Sequence, residues 1–488
     1  MISPIRPREM GRIDRNAAYH GLSTLQLMEN AGSQIARAIS SRFEHGKIVI
    51  IAGRGNNGGD AFVAARHLRG FDLEVFLIGS SRDIRTEEAR RNWEILQRAN
   101  FRLREIRDSS DLPGVKGAIE DADIVIDAIF GTGISGEIRE PEKGLIEMIN
   151  ASDAFKVAVD IPSGLDPETG SSRLCVRADL TVTFHRPKIG LLSDAARMYT
   201  GEIEVADIGI PPIFEMLTGP GDLEGILKRS KTSHKGDNGR VLIVGGGPFT
   251  GAPVLSALAA LRSGADWVTL AVPESISAIA ASFSPNLIVE PLSSDHLVQD
   301  DLAIIRELIR HHDVTVLGMG AGRDPETIEL MRSVIEISGK LVLDADGLYA
   351  LNLPLRRKGV IITPHRGELS KIGVEVEGDL TSFLMEFSGR NNLTVLMKGV
   401  EDIISDGDSL RINRTGNAGM TVGGTGDVLS GILGAFYAIC DDPLEAASAA
   451  AFISGAAGDL AFRESGYGLT ATDVVDKIGV AMSLYLEG

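Results

Sequence analysis

Short runs of consecutive apolar, often β-branched residues recur along this chain and alternate with stretches of helical character. That alternation limits the fold more than any other feature. In the first half the runs are KIVIIAG (47–53), LEVFLIG (73–79), ADIVIDAIFG (122–131) and FKVAVDIPSG (155–164). A strand that is apolar throughout needs both faces covered, and parallel strands need crossover connections that helices can supply. The expected class is therefore α/β, with a mostly parallel sheet flanked by helices. DLTVTFHRPKIGLL and GEIEVADIGIP close this unit, and residues 212–235 then mix Pro, Gly and charge without strand periodicity. Such a stretch reads as a linker.

The pattern restarts with RVLIVGGG (240–247), WVTLAVP (267–273), VTVLGMGAG (314–322), KLVLDADGL (340–348), GVIITPHRGE (359–368) and LTVLMKGVEDII (393–404). A second parallel sheet is expected from these runs. A chain of 488 residues is also long for one domain, since domains usually hold about 100–200 residues. Two domains follow, at 1–214 and 225–488, without a repeat of the solenoid type. The small-residue stretch EAASAAAFISGAAGDLAF reads as a closely packed core helix, because Asp459 and its glycines suit a membrane poorly.

Composition removes several function classes. The formal net charge is -18 and no segment gathers Lys and Arg into a stripe, so a nucleic-acid backbone is not an expected partner. The cysteines, Cys175 and Cys440, fall one in each half and offer neither metal-ligand spacing nor a disulfide framework, which fits a reducing cytoplasm. The start, MISPIRPREMGRIDRNAAYHG, has no apolar signal region, and no uninterrupted apolar run reaches the roughly 18 residues of a membrane helix. A cytoplasmic, unprocessed chain with no membrane partner is expected. A small anionic ligand would need a local cradle.

Two such cradles are visible. The first, GRGNNGGD (53–60), ends a strand and enters a helix, so backbone N–H groups and the positive helix end face a ligand. Its spacing is not the dinucleotide fingerprint G-x-G-x-x-G. Its distinguishing feature is the polar set Asn56, Asn57 and Asp60 among glycines. A purely structural turn would tolerate one Asn for left-handed geometry, whereas two amides and a carboxylate point to coordination. Two further strand ends meet the same sheet edge: IDAIFGTGISGE supplies Asp127, and VDIPSGLD supplies Asp160 and Ser163. Carboxylate, amide and hydroxyl oxygens without a His or Cys cluster suit a hard cation such as K+ or Mg2+ and do not suit zinc. Each aspartate alone would more simply be a cap, but three loop ends together favour a ligand site.

GRGNNGGD, DAIFGTG and DIPSGLD, in that order, resemble the N-terminal, Rossmann-like NAD(P)HX epimerase domain of the bifunctional NAD(P)H-hydrate repair enzymes, over residues 1–214. The resemblance implies K+ held by Asn57, Asp127 and Ser163. It implies contacts to the hydrated nicotinamide from Asn56, Asn57, Gly58, Gly59 and Asp60. A second loop would add Gly131, Thr132, Gly133, Ile134, Ser135, Gly136 and Glu137, with Asp160 close to the ring. Epimerisation requires proton movement, which makes Asp160 the acid/base candidate on chemical grounds. Lys188 is a second candidate, equally suited to neutralising phosphates or capping a surface.

The second cradle is TVGGTGDVLSG (421–431). Its glycines let N–H groups gather at a helix start, and Asp427 stands there as a potential general base. DADGL, TPHRGE and MKGVEDII bring three more strand ends to the same edge, and VGGGPFTGAPVLSALAALRSGAD opens the domain. The segments TGAP, GMGAGRD, TPHRGE, KGVED and GGTGD resemble the ribokinase-like NAD(P)HX dehydratase domain of the same family, over 225–488. The resemblance implies hydrate contacts from Ala252, Pro253, Gly322, His365 and Asp427. ADP or ATP, with Mg2+, would meet Lys398, Gly399, Val400, Glu401 and Asp402, and also Gly423, Gly424, Thr425 and Gly426. The substrates implied are NADHX and NADPHX, and the assembly implied is a homo-oligomer.

Hydroxide leaves poorly, so the implied reaction transfers a phosphoryl group to the hydrate hydroxyl and then eliminates phosphate, with Asp427 accepting the hydroxyl proton. The inner glycines of the loop are expected to reject side chains. Epimerisation would feed the R form to a dehydratase that takes the S form. The alternative reading is a ribokinase-like alcohol kinase carrying a noncatalytic N-terminal binding module.

Overall fold

The computed structural model describes residues 3–133 and 136–485. Ile134 and Ser135, expected to touch the hydrate, lie outside the described residues. The chain divides into two compact units, Met1–Phe214 and Glu215–Gly488.

The first unit is built on seven strands, β1 (Lys47–Ala52), β2 (Asp72–Ile78), β3 (Arg102–Ile106), β4 (Ile124–Ala128), β5 (Phe155–Val159), β6 (Leu180–Phe184) and β7 (Glu202–Ala206). They lie in the order β3-β2-β1-β4-β5-β6-β7, and every neighbouring pair is parallel. Side chains of β1 alternate between two cores: Ile48 and Ile50 pack with Ile35 and Phe62 on one face, and Val49 and Ile51 with Leu145 and Ile146 on the other. This is why its run is apolar at every position. Strand β3 escapes the apolar-run criterion because Arg102, Arg104 and Glu105 interrupt it, as an edge strand permits.

The second unit holds β8 (Arg240–Val244), β9 (Trp267–Pro273), β10 (Ile288–Leu292), β11 (Val314–Leu317), β12 (Lys340–Leu343), β13 (Val360–Ile362), β14 (Thr394–Met397), β15 (Asp402–Ser405) and β16 (Leu410–Asn413). Their order is β10-β9-β8-β11-β12-β13-β14-β15-β16. β8 to β14 run parallel, while β15 and β16 are antiparallel to their neighbours. The run 393–404, with its strand end at Lys398 and Gly399, is two strands joined by a tight reversal, and the second returns antiparallel where a parallel sheet is expected. Gly399 N–H donates to Asp402 Oδ1 at 3.1 Å across that turn. Strand β10 went unread because Pro291 interrupts it, which only an edge position tolerates.

The helix Pro443–Ser465 is the expected core helix, with most of its small residues buried. Its Asp459 accepts from Gly416 N at 3.1 Å and Asn417 Nδ2 at 2.8 Å. Among the described residues no helix is long and apolar enough to cross a membrane. Part of the stretch read as linker packs within the second unit: Leu217 pairs with Ile412, and Leu223 and Ile226 enter the core. Proline- and glycine-rich composition obscures burial of this kind, because the buried residues are few and spaced.

Each sheet reverses its direction of growth once, between β1 and β4 in the first unit and between β8 and β11 in the second. A crevice opens at the carboxyl ends of the strands at such a point.

Candidate functional site

In the first unit that crevice is a cleft of about 750 Å³. The chain crosses its floor at very short range. A Cβ on Gly58 would stand 2.0 Å from Gly53 O, and one on Gly53 would stand 2.1 Å from Ile129 O, so only glycine fits either place. The helix Asn56–His67 begins after Gly55 without a side-chain cap, which leaves its first N–H groups for a ligand. Asn56, Asn57, Asp60, Gly131, Thr132, Gly133, Gly136 and Glu137 line the cleft as expected, together with Asp160 and Lys188. Gly58 and Gly59, read as contacts, are buried behind it, with Gly59 against Met28 and Ala89.

Asn57 and Ser163 meet the backbone of Phe130, and Asp127 joins them through Ser163. Asn57 Nδ2 donates to Phe130 O at 2.9 Å, and Ser163 Oγ accepts from Phe130 N at 2.9 Å. Ser163 donates to both oxygens of Asp127, from Oγ at 2.5 Å and from N at 2.8 Å. Asp127 and Ser163 are fully buried. Burial pushes the Asp127 carboxyl up to about 6, against the lowering effect of its Ser163 and Ile129 donors. The cluster therefore offers carboxylate, hydroxyl, amide and carbonyl oxygens in a dry place, and among the described residues no group of three His, Cys, Asp or Glu gathers for a transition metal. Such a donor set fits an alkali ion.

The acid/base chemistry lies further along the cleft. Asp160 follows β5 and holds φ at 64°, a left-handed conformation that a non-glycine residue keeps only where its surroundings impose it. Lys188 is buried and donates to Asp160 Oδ1, to Thr183 Oγ1 at 3.3 Å and to Phe184 O at 3.3 Å. Asp60 and Asp14 share the neighbourhood. Burial raises both, Asp60 well above the usual carboxylate range and Asp14 to about 7; the negative charge of Asp160 adds to the rise and Lys188 opposes it. Sequence reading missed Asp14, which sits in an ordinary charged helix, Pro7–Tyr19, with no motif around it. It also missed Arg54, Arg85 and Arg139, which line the same cleft.

In the second unit the predicted segments are packed against one another. A Cβ on Gly246 would lie 3.3 Å from Pro253 Cγ, and one on Gly322 would lie 3.0 Å from Pro248 Cγ, which brings the loops after β8 and β11 together. Ala252 and Pro253 stand in the first turn of the helix Gly251–Arg262. Asp346, after β12, accepts from Gly322 N at 3.0 Å and Arg323 Nε at 2.8 Å. His365 caps a short helix, with Nδ1 accepting from Gly367 N at 3.0 Å, which leaves Nε2 as its donor. Lys398 N–H donates to Pro364 O at 2.9 Å and sets β14 beside that cap.

Lys398 Nζ donates to Asp344 Oδ1 at 2.8 Å and stands 3.7 Å from Glu368 Oε2. Burial alone would lower the Lys398 ammonium, but Asp344 and Glu368 outweigh it and raise it. Asp427 lies in the first turn of the helix Thr425–Ile439, where burial, with Asp344 adding and Lys398 opposing, pushes its carboxyl up to about 7. Two glycines of 421–431 are required by the fold itself: Gly424, whose φ is 98° and where a Cβ would meet Leu255 at 2.7 Å and Ala471 at 2.9 Å, and Gly431, where a Cβ would stand 2.0 Å from Ser256 O. At Gly423 a Cβ would meet nothing within 4 Å, and at Gly426 it would lie 3.4 Å from Lys398 Nζ and 3.7 Å from Asp344 Oδ2, so the packing of the chain itself leaves room at both positions. Of the 398–402 loop, Val400 is fully exposed, Glu401 pairs with Arg414 at 2.7 Å, and Asp402 binds Gly399 and Asn413.

Comparison with known proteins bears on both units. Residues 241–479 match the NAD(P)H-hydrate dehydratase family, and residues 24–190 match the family described as YjeF-related protein N-terminus. A bifunctional NAD(P)H-hydrate repair enzyme of Archaeoglobus fulgidus is 49% identical over 479 residues, covering 98% of each chain. One of Methanothermobacter thermautotrophicus is 45% identical over 500 residues, covering 98% of this chain and 95% of that one. Among solved structures, a ribokinase-like superfamily protein of Enterococcus faecalis aligns with a TM-score of 0.51 at 23% identity, over 55% of this chain and 96% of that chain, a likeness of fold. With two sheets, each carrying a polar site at its switch point, and full-length identity of this order, the chain belongs to the family of bifunctional NAD(P)H-hydrate repair enzymes.

Proposed function

We propose that the chain returns hydrated NADH and NADPH to use in two steps, the first unit interconverting the R and S hydrates and the second dehydrating the S form at the expense of ADP or ATP. The observation that carries the dehydratase is Asp427: a carboxyl at a helix start, pushed up to about 7 beside Lys398 and Asp344. A general base works best when its proton affinity lies near the working pH. Asp427 takes the proton from the hydrate hydroxyl as that oxygen attacks the terminal phosphorus of the nucleotide, whose bond to the bridging oxygen breaks so that AMP (from ADP) or ADP (from ATP) departs with the electron pair. The first-turn N–H groups of the helix Thr425–Ile439 and Lys398 offset the charge on the transferred group. Phosphate then leaves with the carbon–oxygen electron pair, a proton leaves the adjacent carbon, and the ring double bond forms. The nucleotide supplies the phosphoryl group, and Mg2+ would accompany it.

In the first unit Asn57, Asp127, Ser163 and the carbonyl of Phe130 would hold K+, which supplies a fixed positive charge beside the cleft. Asp160, ion-paired to Lys188, is the acid/base group nearest the ring in this reading.

The test is recovery of dihydronicotinamide absorbance from a mixture of NADHX epimers, with ADP and with ATP, by the native chain and by Asp427→Asn. Nucleotide-dependent recovery that the variant loses supports the dehydratase, and recovery beyond the S fraction faster than spontaneous exchange supports the epimerase. Accumulation of a phosphorylated alcohol without recovery would instead favour a kinase.

A further inference from the structure

Lys188 is a buried cation faced by three carboxyls, each from a different element: Asp14 on the helix Pro7–Tyr19, Asp60 on the helix Asn56–His67 and Asp160 after β5. An ammonium has three N–H donors. Those of Lys188 go to Asp160 Oδ1, Thr183 Oγ1 and Phe184 O. None is left for Asp14 or Asp60, and neither of these carboxyls has a hydrogen-bond partner among the described residues. Lys188 is a single buried ammonium beside three carboxyls, and like charges crowded in this way favour protons on some of them. Asp160 is the carboxyl that holds the ion pair with Lys188. Asp60 is raised well above the usual carboxylate range, by burial first and then by Asp160 and Asp14. Asp14, raised to about 7 by burial first and then by Asp160, is the member able both to give and to retake a proton at neutral pH.

We infer that Asp14 is the proton donor of the epimerisation and works with Asp160 as the acceptor, both reaching the carbon that bears the hydroxyl. The inference rests on the epimerase reading of the first unit. The carbon–oxygen bond breaks, its electron pair stays on oxygen, and that oxygen takes the Asp14 proton and departs as water. The ring nitrogen lone pair forms a carbon–nitrogen double bond, which leaves the carbon planar. Water then adds to the opposite face, the double-bond pair returns to nitrogen, and Asp160 takes the proton that the water sheds. Passage of that proton back from Asp160 to Asp14 resets the site, so no oxidant or further reactant is consumed. Burial sets the proton affinity of Asp14 first, Lys188 lowers it and Asp160 raises it, and Asp60 is the other carboxyl of the cluster.

The experiment uses the full chain and purified S-NADPHX without nucleotide, so that the dehydratase is idle, and follows formation of the R epimer by chromatography. For Asp14→Asn we expect kcat of exchange to fall about 100-fold or more, with KM within about threefold of the native value. The decline of native kcat above the pH where Asp14 loses its proton is also lost in the variant, and Asp14→Glu restores part of the rate. The same preparation, given nucleotide, dehydrates the S epimer at the native rate, which excludes misfolding. Exchange by Asp14→Asn within threefold of native, a defect confined to KM, or loss of exchange in Asp60→Asn with Asp14→Asn active would each overturn the proposal while leaving the epimerase reading intact. A native chain that fails to exchange epimers above the spontaneous rate would remove that reading, and the role of Asp14 with it.

Discussion

Lys398 Nζ donates to Asp344 Oδ1 at 2.8 Å, and Asp344 Oδ2 accepts from Ser430 Oγ at 2.6 Å. The pair links β14 to β12, two strands separated by β13, and ties both to the helix that carries Asp427. The electrostatic setting of Asp427 is therefore held from three elements at once.

The two partners act on Asp427 in opposite directions, since Asp344 raises its proton affinity and Lys398 lowers it. A general base must be ionised, so dehydration falls as pH drops through about 7. Asp344→Asn should move this acidic limb to lower pH, and Lys398→Met should move it to higher pH, both with reduced maximal rates. Rate profiles against pH for the two variants check this, and limbs that stay in place would show that another group titrates.

Stability gives an independent reading of the same group. A carboxyl whose folded value lies near 7, above its ordinary 3.8, contributes stability that is fully present below the ordinary value and lost as pH rises through about 7. Asp427→Asn has no such cost. The variant should therefore melt higher than the native chain at pH 8 and alike near pH 4, by roughly 2–4 °C for each kcal/mol recovered. Calorimetry at the two pH values decides it, and a variant that melts lower at pH 8 contradicts a raised Asp427.

The loop glycines separate backbone need from ligand space. Gly424→Ala must hold a left-handed residue, at about 1–2 kcal/mol, and must also displace Leu255 or Ala471. It should lower the melting temperature and abolish dehydration. Gly423→Ala meets nothing within 4 Å and should melt as the native chain does. A loss of activity in Gly423→Ala with unchanged melting would place the nucleotide or hydrate against that residue.

Ser163→Ala removes a donor and an acceptor at once: Asp127 Oδ1 loses its hydroxyl donor, and the N–H of Phe130 loses its acceptor. Asp127 Oδ1 keeps the 3.3 Å bond from Ile129 N, while the Phe130 N–H left without its partner costs about 1–3 kcal/mol. The variant should unfold earlier, and stabilisation of the native chain by KCl over LiCl should shrink in it. Equal stabilisation of both proteins by KCl would place the ion elsewhere.

How far the sequence reached is clearest from individual residues. The apolar runs of β1, β4, β8 and β11 are strands because residues such as Ile50 and Val316 are buried on every side, and burial of that kind is written in composition. The polar loops that end those strands, with Asn57, Asp160, His365 and Asp427, were legible for a related reason: glycine next to amide or carboxylate at a strand end has few structural uses. Edge strands β3 and β10 were not, since an edge admits charge and proline. Nor was the direction of β15, which returns antiparallel to β14 after the 398–402 loop in a sheet otherwise read as parallel.

The sequence by itself determined the α/β class, the presence of two sheets and the strand ends that carry polar ligand groups, because hydrophobic periodicity and turn chemistry act over a few residues. Only the tertiary structure decided which charges meet. Asp14 faces Asp160 across 146 positions of the chain, Asp344 meets Lys398 across 54, and neither pairing leaves a local trace. Proton affinity depends on burial and on charges a few ångströms away, and those distances exist only once the sheets have formed.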